Sequence, residues 1–177
     1  MYNMKIAFLF LTLDNINWPE FWNDYVTHKN INIYVHPKYP NKVTVPWMKE
    51  NIIDKTVNTG WGYIVEAYIQ LLTEAMKDTS NKKFITVSES CIPVKPFDVL
   101  YQDLKKDNIK TSYIKFMKIK KYDVEERIKT QKNYKQFKFR KHYARFCLSR
   151  YHAKILLQKK EQLKFFYKMH VGDEFFL

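Results

Sequence analysis

Lys5-Ile6-Ala7-Phe8-Leu9-Phe10-Leu11-Thr12-Leu13 is the stretch that decides the fold. Its apolar residues run unbroken from Ile6 to Leu11. A strand that is apolar on both faces belongs inside a sheet covered on both sides. The run is too short to cross a membrane, which takes about 20 such residues. A secretory signal would want a longer apolar region and a small-residue cleavage site. Residues 5–13 therefore read as a buried strand opening a parallel sheet, in a chain expected to be cytoplasmic or otherwise soluble.

Outward from this strand, helices and strands alternate. Residues 19–26 start at Pro19 and carry Trp18, Phe21, Trp22 and Tyr25 at helical spacing. Residues 31–36 form a second strand, stopped by Pro37 and Pro40, and 52–57 a third. The clearest helix covers 62–77, where Ile64, Val65, Tyr68, Leu71, Leu72, Ala75 and Met76 make one apolar stripe. A fourth strand over 84–88 is ended by Pro93 and Pro96. A helix over 97–105 and a strand over 112–117 follow. Residues 123–141 are polar and basic and read as a surface excursion. A strand over 145–148 precedes a helix over 151–165, with Ile155, Leu156 and Leu163 turned inward. The alternation predicts an α/β fold with a mostly parallel sheet. Residues 1–177 form a single domain on this reading. Ligands of such sheets sit beyond the carboxyl ends of the strands, which directs attention to Thr12 and to residues 36–38, 59–62 and 88–93.

Composition agrees with a globular chain. Of 177 residues 46% are hydrophobic and 28% charged, which excludes a disordered polymer. Two cysteines, Cys91 and Cys147, exclude a disulfide-stapled fold and a Cys-rich zinc module. The net charge of +13 comes entirely from residues 101–177, because the first hundred residues hold ten Lys and ten acids. A basic half meets nucleic acid, a membrane surface or a phosphorylated small molecule, or is simply a solvated Lys-rich face. Residues 118–121 and 138–145 interleave basic and aromatic side chains, a pattern that suits single-stranded nucleic acid and equally suits sugar stacking and diphosphate contact.

Only Gly60, Gly62 and Gly172 supply glycine, against about 7% in an average chain. Thr59-Gly60-Trp61-Gly62 reads as a strand-to-helix turn that a ligand approaches, or as a plain turn with a helix cap. Neither GxGxxG nor GxxxxGK[ST] occurs. Ser88-Glu89-Ser90-Cys91-Ile92-Pro93 puts three polar side chains directly after a strand, where they line a cleft or form a turn. Cys91 reads as a small buried residue and His152 as structural.

In this order, the strand 6–13, Ile33-Tyr34-Val35-His36-Pro37-Lys38, Thr59-Gly60-Trp61-Gly62, residues 84–93 with Pro96-Phe97, Leu148-Ser149-Arg150 with His152-Ala153, and Asp173-Glu174-Phe175-Phe176 resemble the core-2/I-branching glycosyltransferases. Ser88-Glu89-Ser90-Cys91-Ile92-Pro93 is the most specific piece. The resemblance implies a GT-A-like nucleotide-binding α/β/α sandwich. It also implies inverting transfer of a sugar, N-acetylglucosamine first, from a UDP-sugar to a hydroxyl of an acceptor glycan. UDP-sugar and acceptor are then the partners, with no cofactor and no nucleic acid.

Carried onto this sequence, the resemblance makes Glu174 the catalytic base. Taken without it, Asp173-Glu174 is an acidic pair at a helix start. Thr12, His36, Lys38, Trp61, Gly62, Ser88, Glu89 and Ser90 fall to the nucleotide-sugar. Arg145, Arg150 and Asp173 fall to the acceptor or diphosphate. No Asp-x-Asp occurs, and Glu89 alone is a poor ligand set for Mg²⁺ or Mn²⁺, so no metal is expected. Two departures stand out. Lys38 occupies the place of an Asp that reads uracil in animal members, and a lysine cannot accept a hydrogen bond. The family's diphosphate-binding Arg and Lys lie well past the Asp-Glu motif. Basic residues of 127–150 substitute for them, or a C-terminal part of the family fold lies outside this chain. Two competing readings are a glycan-binding member without turnover and a basic nucleic-acid-binding module, the latter without any RNP-type motif.

Overall fold

A computed structural model describes residues 4–132 and 134–177. Strand β1 (Lys5–Thr12) is buried from Ile6 onward and lies between two parallel neighbours, β2 (Ile31–Pro37) and β3 (Asn81–Ser88). Phe8 sits opposite Ile33 on one side and Ile85 on the other. Strand β5 (Lys141–Ser149) joins β3 antiparallel, and β4 (Tyr113–Met117) joins β5 antiparallel. Among the described residues the sheet has five strands in the order β2-β1-β3-β5-β4. The parallel expectation therefore holds for the half built around β1, and the other half is antiparallel.

Alternate residues of β1 sort into two cores, as strand geometry requires. Ala7, Leu9 and Leu11 pack with α3 (Val65–Ala75), α5 (Arg150–Gln158) and α6 (Lys160–Tyr167). Ile6, Phe8 and Phe10 pack with Trp22, with Tyr25 of α1 (Asn23–Val26), with Met48 of α2 (Pro46–Glu50), and with Phe97, Tyr101 and Leu104 of α4 (Phe97–Lys106). The result is an α/β/α sandwich. Among the described residues no helix is long and apolar enough to cross a membrane.

Several boundaries differ from the sequence reading, each for a physical reason. Residues 52–57 are not a strand. Ile52 makes one parallel bridge to Val35, and further on the Val57 N–H is taken by the His36 ring (2.9 Å) and not by a strand carbonyl. The helix expected from 62 starts at Val65, since Gly62 has φ of 77° and Gly60 bridges Tyr63. The helix over 151–165 is two helices parted at Lys159, with Ile155 exposed and Leu163 buried. Its N-cap is Ser149, whose hydroxyl accepts the His152 N–H (3.3 Å).

The largest correction concerns 123–141, which is not a solvated excursion. A π-helical segment, Asp123–Ile128, buries Asp123 and Ile128. Phe137 and Phe139 pack on Phe165 and Phe166, with the Phe137 and Phe165 rings 4.5 Å apart.

Candidate functional site

A cleft of about 550 Å³ opens at the carboxyl ends of β1 and β3. It gathers Thr12, Lys38, Trp61, Gly62, Ser88, Glu89, Arg145 and Asp173. Three strand ends meet there because β1 pairs in parallel with both neighbours. The Lys38 N–H donates to the Thr12 carbonyl (2.9 Å), which ties the turn after β2 to the end of β1. At the end of β3, the Cys91 thiol accepts the Ser88 N–H (3.4 Å), and the Asn17 N–H donates to the Glu89 carbonyl (2.9 Å).

Arg145 reaches the cleft for a reason found in the sheet. The paired stretch between β3 and β5 runs from Lys83–Ser149 to Ile85–Cys147. One residue further, the Thr86 hydroxyl accepts the Phe146 N–H (3.0 Å) in place of a backbone carbonyl. The strands part there, and Arg145 stands on the cleft wall with its guanidinium donating to the Tyr68 hydroxyl (3.3 Å). Cys91 is half-buried. Burial works to raise its pKa, but the Ser88 hydroxyl and N–H, with Arg145, outweigh this and hold the thiol below its usual range.

The other wall is made by two loops locked together. The Val171 N–H donates to the Gly62 carbonyl (2.7 Å). Trp61 is 83% exposed and its ring centroid lies 5.0 Å from that of His170. Val171 has φ of 56°, a left-handed conformation that is an outlier for a β-branched residue. It turns the chain into the 3₁₀ turn Gly172–Glu174. Asp173 is buried there, and its Oδ1 has no hydrogen-bond partner among the described residues. Burial, with the Glu174 charge adding, pushes the Asp173 carboxyl up to about 6 against the pull of its own N–H, Arg145 and Arg127.

Four of the expected residues lie elsewhere. His36 is fully buried and serves as the acceptor for Val57, a structural role; burial lowers its pKa. Ser90 is exposed beside the cleft, with its hydroxyl 3.3 Å from that of Ser88. Arg150 is at the opposite end of the sheet, where it donates to the carbonyls of Met76 (2.8 Å), Asp78 (2.8 Å) and Asn81 (3.1 Å). It closes the end of α3 onto the start of β3, so it has no part in the cleft. Glu174, next to Asp173, does not line the cleft; its Oε2 accepts from Arg127 (2.9 Å) and faces Lys141 (3.3 Å). Tyr68, a wall residue, was hidden in the apolar stripe of α3. Asp123, Arg127 and Lys141, beside Glu174, were hidden in a Lys-rich run.

The profile of the Core-2/I-Branching enzyme family matches residues 6–174. The chain belongs to this family. The matched span runs from the second residue of β1 to Glu174 and so contains every residue of the cleft walls named above. Glycosyltransferase BC10 of Oryza sativa subsp. japonica is 27% identical over 109 residues, which cover 56% of this chain and 27% of that relative. The chain thus matches about a quarter of the length of this curated relative.

Proposed function

We propose that this protein is an inverting glycosyltransferase that moves a sugar, N-acetylglucosamine first, from a UDP-sugar to an acceptor glycan hydroxyl without a metal ion. One observation carries the reading. In a member of the Core-2/I-Branching family, the strand ends, the Trp61 turn and Asp173 converge on one cleft that also holds two cations, Lys38 and Arg145.

The chemistry follows from that set. Inversion is a single displacement: the acceptor oxygen bonds to the anomeric carbon as the bond to the UDP oxygen breaks. Negative charge grows on the departing diphosphate, and Lys38 and Arg145 are the side chains that meet it. On this reading Lys38 serves the diphosphate, which accounts for a lysine where animal members use an aspartate for uracil. The acceptor proton passes to a carboxylate; the family motif assigns this role to Glu174, which stands behind the cleft wall next to its lining residue Asp173, so the acceptor would have to reach past Asp173. On this reading the two cations supply the positive charge that a metal supplies elsewhere.

Calorimetric titration with UDP and UDP-N-acetylglucosamine tests this. Saturable binding is expected, weakened about tenfold or more by Lys38→Ala or Arg145→Ala, since charged hydrogen bonds each contribute about 1.5–3 kcal/mol. A folded chain that binds neither compound at millimolar concentration removes the proposal.

A further inference from the structure

The segment joining β4 to β5 builds a ring of four charges at Glu174. Asp123, whose side chain is 2% exposed, faces Lys141 Nζ at 2.7 Å and Arg127 NH1 at 3.3 Å, both through Oδ1. The same two cations face Glu174 Oε2, at 3.3 Å and 2.9 Å. Asp123 is itself fixed from behind, because its Oδ2 accepts the Lys120 N–H (2.9 Å). The ring is seated among aromatics, with Arg127 5.1 Å from the Tyr122 ring centroid and Lys141 5.9 Å from that of Phe175. Asp173 and the buried His142 also feel the Glu174 charge.

We propose that Asp123 is a positioning residue for Glu174, acting through Arg127 and Lys141; the inference rests on the reading of Glu174 as the base. The geometry separates the two oxygens of Glu174. Oε2 is held by both cations, whereas Oε1 makes no hydrogen bond among the described residues and the side chain is 23% exposed. On the base reading, Oε1 is the oxygen left to receive the acceptor proton. Asp123 shares the two cations with Glu174. Without it, both would be free to close on Glu174 alone, draw its charge away from Oε1 and rotate the carboxylate. A half-buried Glu174 pinned by two cations and nothing else is a poor proton acceptor; one whose cations are already balanced keeps its charge for the substrate.

The test is a double-mutant cycle on the full chain. The readout is UDP release from UDP-N-acetylglucosamine with water as the acceptor, with the UDP Kd measured in parallel. Asp123→Asn is expected to lower kcat about tenfold or more at unchanged UDP Kd, because misplacing a reacting group by about 1 Å has effects up to 10²-fold. Asp123→Glu restores part of the loss. In a Glu174→Gln background, Asp123→Asn changes kcat less than about twofold, since nothing is left for it to position. A loss of the same size in both backgrounds, or wild-type kcat for Asp123→Asn, overturns the inference. If Asp123→Asn does not fold, Arg127→Lys, which keeps the charge and loses the fork, is put through the same cycle with the same criteria. Wild-type kcat for Glu174→Gln overturns the base reading itself, and so does a wild type that binds UDP yet releases none from the donor. Either failure is distinguishable from a failure of Asp123 alone.

Discussion

Two adjacent carboxyl groups in the Gly172–Glu174 turn have opposite surroundings. Glu174 faces two cations, and Asp173 is buried with one oxygen unpartnered. For Asp173 the folded pKa of about 6 lies above the ordinary 3.8. The folded state thus holds this proton more tightly, and the resulting stability is complete below pH 4 and lost as pH rises through 6. Two pH units correspond to about 3 kcal/mol. Asp123 has the opposite sign, because burial is outweighed by Lys141, the Lys120 N–H and Arg127, and its carboxyl is held below the usual range. Its contribution is present above pH 4 and lost in acid. Buried His36 and His142, with lowered pKa values, also add stability as pH rises. The mutant-minus-wild-type difference isolates Asp173: Asp173→Asn is expected to gain stability relative to wild type between pH 4.5 and 7, read from chemical denaturation at each pH. A constant difference across that range would show that Asp173 is ionised throughout. Glu174→Gln is a separate prediction, with kcat lowered about 10²–10⁴-fold and UDP affinity unchanged, because a base contacts the acceptor and not the nucleotide. Loss of UDP affinity in that variant would place Glu174 at the donor.

At the scale of elements, the turns that carry the site depend on two of the three glycines. A Cβ on Gly172 would lie 2.3 Å from the Phe166 carbonyl oxygen, which is backbone and cannot step aside. A Cβ on Gly62 would lie 2.8 Å from the His170 ring and 3.0 Å from the Val171 nitrogen, at φ of 77°. Gly60 has room, with its nearest neighbour 3.7 Å away on the Tyr63 ring. Gly62→Ala and Gly172→Ala are therefore expected to destabilise by about 1–3 kcal/mol each, and Gly60→Ala by less than about 0.5 kcal/mol. Thermal unfolding of the three variants checks this, and equal losses would refute the distinction. The sequence alone treated Gly60 and Gly62 alike, because a Gly-Trp-Gly turn does not say which glycine another loop will lie against. Similarly, Phe137 and Phe139 were unreadable as core between lysines until α6 supplied Phe165 and Phe166.

For the whole molecule, the cleft lies at the end of the sheet where β1, β2 and β3 all point, so a ligand bound there would bridge elements far apart in the chain. A ligand that binds only the folded state stabilises it by RT ln(1 + [L]/Kd), about 2.7 kcal/mol at a hundredfold excess over Kd. UDP is thus expected to raise Tm by several degrees in a chain of this size, and excess EDTA to leave that rise unchanged. A rise that vanishes on chelation and returns with Mn²⁺ would give Glu89 and Asp173, the two carboxylates lining the cleft among the described residues, a shared metal.

Local pattern determined much of this protein. A continuous apolar run specifies a strand buried on both faces, so β1 was legible, and the alternation of strands and helices around it gave β2, β3 and the covered-sheet class. The convergence of strand ends in a parallel sheet then made Thr12, Lys38, Ser88 and Glu89 legible as neighbours, whereas Trp61 and Gly62 follow no strand and were legible only from the Gly-Trp-Gly turn before α3. Asp173 came through motif order, and Arg145 through the basic and aromatic interleaving of 138–145. Only the tertiary structure decided that β5 and β4 run antiparallel, that Arg150 closes the far end of the sheet, and that Asp123, Arg127 and Lys141 surround Glu174. The physical reason is range. Periodicity records which face of an element is apolar, whereas the partner of a charge is set by which element packs beside it, and a lysine-rich sequence reads the same whether its cations meet water or a buried carboxylate.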